Sequence, residues 1–171
     1  MSFTTDGEIV LGLAANNSDN GTSGDDFEAT IKMNIDYAAV VTVDGVIVAT
    51  LNDAAQPQLT VIDGEEVTST SVGKGEGILK TKRELKEDYK MSAFGAPNVE
   101  GGTVKEWYLQ SEAFSNYIVG LTAEEVANLE TTLVNGHYIS SDDALLSAGC
   151  TIQITGIQAV VAEAAGYVAN N

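Results

Sequence analysis

Few residues in this chain have the chemistry for catalysis or metal binding, and their spacing narrows the set further. There is one cysteine, Cys150, and one histidine, His137. A single thiol closes no disulfide within the chain and founds no thiolate metal cluster, so Cys150 reads as a buried structural thiol. His137 follows the Asn135-Gly136 turn and reads as a solvated loop side chain. Two-histidine metal sites and histidine-based triads therefore have nothing to build on. Paired carboxylates occur at Glu65/Glu66, Glu124/Glu125 and Asp142/Asp143. Neighbours in sequence point to different faces, and the latter two pairs fall where helices start, which suits capping better than acid–base work. Asn16 to Asp26 is rich in Asn, Asp, Ser and Gly but lacks the spacing and closing glutamate of a calcium loop. Gly73-Lys74-Gly75-Glu76-Gly77 lacks the Lys-Ser/Thr pair of a phosphate loop. No catalytic residue and no metal ligand is assigned, and the chain is read as a non-enzyme. Its one basic cluster, Lys80, Lys82, Arg83, Lys86 and Lys90, reads as the solvated face of a short helix.

The aromatic residues are more telling. Thr103 to Gly120 holds the only tryptophan, and Val104, Trp107, Ser111, Phe114 and Ile118 form one stripe at helical spacing. Glu106, Glu112 and Asn116 lie off that stripe, and Gly120 stands where a helix commonly stops. This predicts an amphipathic helix with Trp107 and Phe114 buried and Tyr108 nearer the rim. The first half must supply the surface that receives it. Ile35, Tyr37, Ala39, Val41 and Val43 alternate with Asp36, Ala38, Val40 and Thr42. Asp44-Gly45 is a two-residue hairpin turn that should set Val43 opposite Val46 and Val41 opposite Val48. The return strand, Val46 to Leu51, is apolar on both faces and is expected to be central. A more polar hairpin follows around Asp63-Gly64. Ile9 to Ala15 is a short apolar run of strand length, and Asn16 to Asp26 reads as loop.

Capping boxes open helices at Thr81 with Glu84 and at Thr122 with Glu125. Leu85 and Tyr89 form the inner edge of the first of these helices. Ser141 suits a further helix start and Gly149 its end. Cys150 to Ile154 is either a strand or an extended lead-in. Thr155 can cap a final helix with Ile157, Val160, Val161, Ala164 and Val168 on one face. Strands first and helices second predict an α+β fold, a largely antiparallel sheet with helices packed on one face. The chain divides into residues 1–30, an N-terminal apolar strand and flexible acidic loop, and residues 31–171, a single α+β domain.

Charge excludes further classes. The chain of 171 residues carries 25 acidic and 8 basic residues, a net charge of −17. Nucleic acid is not an expected partner, because a phosphate backbone needs Lys and Arg to replace its counterions. Anionic lipid is excluded on the same ground, and no run approaches the length of a membrane span. No leader is evident at Met1. The expected setting is extracytoplasmic or at the cell surface if a leader has been removed, and cytoplasmic otherwise.

Four stretches carry a resemblance: Ala38 to Ile47, Thr81 to Met91, Lys105 to Thr122, and Ala148 to Ile152 leading into the last helix. In these the chain resembles uncharacterised secreted or lipid-anchored proteins of anaerobic Gram-positive bacteria, which are similar to the FMN-binding domains of surface electron-transfer proteins. The resemblance implies a surface domain binding a flavin or another small aromatic ligand. Trp107, Tyr108 and Tyr89 would offer ring faces, and Thr151 would be the acceptor for covalent FMN. The departures are concrete. Lys90 stands where relatives usually have glycine. Leu146-Ser147-Ala148-Gly149-Cys150-Thr151 reorders the small residues of the attachment motif and lacks its Asp. The alternative reading is a self-assembling structural protein, of fibre or surface-layer type. In it a homo-oligomer forms through residues 9–15 and the small-residue C-terminal helix.

Overall fold

The computed structural model describes residues 7–25, 28–63, 65–74, 77–95, 98–100 and 103–167. Gly64, Gly75, Glu76 and Val168, each part of an expectation above, lie outside the described residues. The main sheet comprises β1 (Ile9–Asp19), β2 (Ser23–Gly24), β3 (Glu28–Val43), β4 (Val46–Ala55), β5 (Pro57–Ile62) and β6 (Glu65–Ser71). All its pairs are antiparallel. A separate hairpin joins β7 (Thr131–Val134) to β8 (His137–Ser140). The helices are α1 (Lys82–Leu85), which runs into a 3-10 turn at Lys86–Tyr89, α2 (Met91–Phe94), α3 (Trp107–Tyr117), α4 (Ala123–Ala127), α5 (Asp143–Ser147) and α6 (Thr155–Ala164). The fold is α+β, as the order of patterns predicts.

β3 organises the sheet. Its C-terminal half lies between β1 and β4, and its N-terminal half pairs with β2 and β5. The central strand is thus β3 rather than the apolar return strand. β4 is an edge of this sheet, and isolated bridges join Val46 to Thr122 and Ala55 to Thr81. The hairpin turn forms as predicted, with φ of 51° at Asp44 and 78° at Gly45, the conformation that matches strand twist. Val43 does face Val46, but a bulge between Val41 and Thr42 sets Val41 opposite Ala49 instead of Val48.

Two stretches not expected to be strand are strand. β1 continues through Asn16 to Asp19, where its backbone pairs with β3 as far as Met33. The Asp19 carboxylate then accepts from the amides of Gly21 and Thr22 and turns the chain. β7 and β8 flank the Asn135-Gly136 turn, where the sequence showed only the turn. In β1 tertiary pairing overrides weak local propensity, whereas β7 and β8 follow from their own Thr, Val, Tyr and Ile residues around an Asn-Gly turn.

α3 packs on β4 and α6 on β3 and β1, on the same face of the sheet. The core between them holds Val40, Ile47, Phe114, Ile118, Ile157 and Val161. α3 begins at Trp107, and its buried side includes Gln110, Ser111 and Ser115 beside Trp107 and Phe114. The polar members are bonded: Ser111 Oγ donates to Asn52 O at 3.1 Å, and Asn52 Nδ2 donates to Ser115 Oγ at 2.9 Å. Glu106, expected off the stripe, is buried, and its carboxylate accepts from the amides of Met91 and Ser92 at the start of α2. Both capping boxes form. Asp142 rather than Ser141 caps α5. α6 has no side-chain cap, because Thr155 is already its first helical residue. Cys150 to Ile154 is a lead-in without strand pairing. No described helix is long and apolar enough to cross a membrane.

Candidate functional site

The aromatic residues of the second half meet around a lysine. The capping box at Thr81 fixes the start of α1 and sets Lys82 at its first helical position, with the side chain turned into the fold. Its Nζ lies 5.3 Å from the centre of the Tyr89 ring and 5.1 Å from that of Trp107. Lys82 is 9% exposed, and among the described residues its amine has no hydrogen-bond partner. Asp36 and Asp53 are near enough to act on it by charge but are not bonded to it. Burial holds the amine down at about 8, with those two carboxylates opposing the shift.

Lys82 forms part of the wall of a cavity of about 630 Å³. A directed chain of hydrogen bonds runs along the same wall. Tyr89 Oη donates to Gln56 Oε1 at 3.1 Å, and Gln56 Nε2 donates to Asn34 Oδ1 at 3.3 Å. Asn34 Nδ2 donates to Asp36 Oδ2 at 2.7 Å. Asn34 and Asp36 are two apart on β3, so both side chains reach the same face. Burial raises Asp36 above its ordinary value, and the Lys82 charge and the Asn34 bond offset part of that. The Asp36 carboxylate also stands against the first turn of α6: a Cβ on Gly156 would lie 2.3 Å from Asp36 Oδ2. Only glycine allows that approach, and the uncapped helix start gains a negative neighbour in place of a cap. The polar end of β1, with Asn16, Asn17 and Asp19, and His137 from the β7–β8 hairpin form the rim.

Trp107 and Tyr89 thus come together here, but as supports for the amine. Trp107 is 5% exposed and reaches the cavity only at its margin. Burial, with the negative Glu106 nearby, pushes the Tyr89 phenol up to about 12, so it stays protonated and keeps donating to Gln56. Tyr108 and Thr151 lie outside the cavity wall. Tyr108 Oη donates to Glu87 Oε1 at 2.8 Å on the surface. The amide and hydroxyl of Thr151 both donate to Gln110 Oε1, at 2.8 and 3.2 Å.

Lys82, expected with Lys80, Arg83, Lys86 and Lys90 on a solvated helix face, is instead buried, and Asn34, Asp36 and Gln56 carry no site signal in the sequence. The only cue was that Lys82 immediately follows the cap residue of a helix whose inner edge includes Tyr89. Cys150 is fully buried and its thiol is pushed up to about 12, which leaves it inert. Among the described residues no group of three or more His, Cys, Asp or Glu side chains is placed to hold a metal ion. No family model, curated protein or solved structure matches the chain.

Proposed function

We propose that this chain is a non-enzymatic binding domain whose Lys82-centred cleft holds a small ligand, with a flavin such as FMN as the first class to test. The observation that carries the reading is the amine itself. The Lys82 side chain is sheltered between two aromatic rings with no acceptor for its amine among the described residues, and an anionic acceptor on a ligand in the adjoining cavity would give that amine a charge-assisted hydrogen bond. FMN offers an anionic group for Lys82 and a flat ring for the margins of Trp107 and Tyr89. In this reading the flavin is held without a covalent bond, because Thr151 already gives its hydroxyl to Gln110. An extracytoplasmic, surface setting belongs to the same proposal and rests on the sequence resemblance.

The net charge of −17 opposes the approach of any anion, so binding should tighten with added salt. Trp107 is the only tryptophan and borders the cavity, so its fluorescence reports occupancy directly. Titration with FMN should give saturable quenching at tens of micromolar. An unchanged tryptophan signal over that range would discard the flavin.

A further inference from the structure

We propose that the chain pairs with a second copy of itself by packing the uncovered face of β1, β3 and β4 against the same face of its partner. Among the described residues only one side of this sheet is covered, by α3 and α6. On the other side, cross-strand register places Leu13, Ala39 and Leu51 in one row and Leu11, Val41 and Ala49 in the next. Ile9 and Val43 begin a third. Ile9, Leu11, Leu13 and Leu51 are 58%, 67%, 75% and 55% exposed. No side chain in these rows carries a charge, in a chain with 25 acidic and 8 basic residues. Depletion of charge is what marks the centre of an interface.

The relief of the face favours a second copy over other occupants. In the Leu13–Ala39–Leu51 row a small residue lies between two leucines. The resulting trough of about 460 Å³ is walled by Leu13, Tyr37 and Leu51 and floored by Ala39. Ridge and trough belong to one patch, so a two-fold contact can seat a leucine of each copy in the trough of the other. Ile9, Leu11, Leu13 and Leu51, each more than half exposed, supply the bare apolar surface for a contact at the lower end of the standard specific range, roughly 1,200 Å² in the pair. An anionic membrane would need basic residues around the patch, whereas Glu8 and Asp44, joined by a hydrogen bond from the Glu8 amide to Asp44 Oδ1, border its Ile9–Val43 end. The pair would be a sheet-on-sheet sandwich, helices outward, with both Lys82 clefts left open.

Sedimentation velocity across concentration and salt tests this. The expected result is a species of twice 17.9 kDa whose population grows with salt, because each copy carries −17. Leu11→Thr with Leu13→Thr keeps strand propensity and should return the protein to 17.9 kDa. Leu51→Thr, on the other side of the trough, serves if that double variant fails to fold. Leu133→Thr, equally exposed on the β7–β8 hairpin, should leave the pair intact. A wild-type monomer throughout, or a dimer indifferent to Leu11, Leu13 and Leu51, would overturn the proposal.

Discussion

On one side of β3, Ala38, Val40 and Thr42 are buried beneath α3 and α6; on the other, Ala39 and Val41 share rows with Leu13 and Leu11, which stand in solvent. Over Ala38 to Val43 both sides are largely apolar, so hydrophobicity there does not decide which one the helices take. Size does. Beneath α6, β1 presents Gly12 and Ala14, and a Cβ on Gly12 would lie 1.6 Å from the Ala164 carbonyl oxygen. The helix backbone lies directly on the strand there, which Leu11 and Leu13 on the opposite side would forbid. The covered side also carries the polar equipment of the cleft, from Asn34 and Asp36 on β3. The bare side carries none between Ile9 and Ala15.

The contrast breaks most readily at the helix. Trp107→Ala should cost about 3–5 kcal/mol, the range for emptying a large aromatic site in a core. Thermal and urea melts would show it, and an unchanged melting temperature would mean that α3 docks elsewhere.

Next is the buried amine. Lys82 sits at about 8 in the fold against 10.5 when free. Between those values the unfolded chain holds the proton and the folded chain does not, so wild type gains stability as pH rises through the window. Below pH 8 the charged amine is at its most costly. Relative to Lys82→Met, wild type should therefore recover up to about 3 kcal/mol between pH 7 and 10.5. The buried Cys150 thiol, pushed up to about 12, works in the opposite direction above pH 9. It does so in both proteins and cancels in the difference. Urea melts of the two proteins at stepped pH measure it, and a constant gap would place Lys82 in water.

Gly12→Ala forces α6 away from β1 and should cost about 1–3 kcal/mol, as overpacking does. The smallest effect belongs to the bare side. In dilute, low-salt solution, where the chain should be single, Leu13→Ala should stay within about 0.5 kcal/mol of wild type. A loss as large as that of Trp107→Ala would show that the bare side is covered within one chain.

Much of the architecture was legible in the sequence because local signals agreed with the final packing. The Asp44-Gly45 turn, both capping boxes and the Trp107–Ile118 stripe each name their own geometry. The face of β3 that the helices cover was not legible. Alternation distinguishes inside from outside only when one face is polar, and here Val40 and Val41 are equally good core residues. The site was half legible for a related reason. Trp107 and Tyr89 announce themselves by size. Lys82 looks like any lysine of a charged helix, and its burial depends on where Thr81 anchors α1 against β4 at Ala55. Asp36 acquires its setting from Gly156, 120 residues away in sequence, through an approach that no local pattern encodes.

The most direct test of the cleft is a set of parallel FMN titrations followed by Trp107 fluorescence in wild type, Lys82→Met and Leu13→Thr. The expected result is saturable quenching of equal affinity in wild type and Leu13→Thr, with affinity at least tenfold weaker in Lys82→Met. Equal binding by all three, or quenching lost in Leu13→Thr and kept in Lys82→Met, would contradict a ligand site built on Lys82.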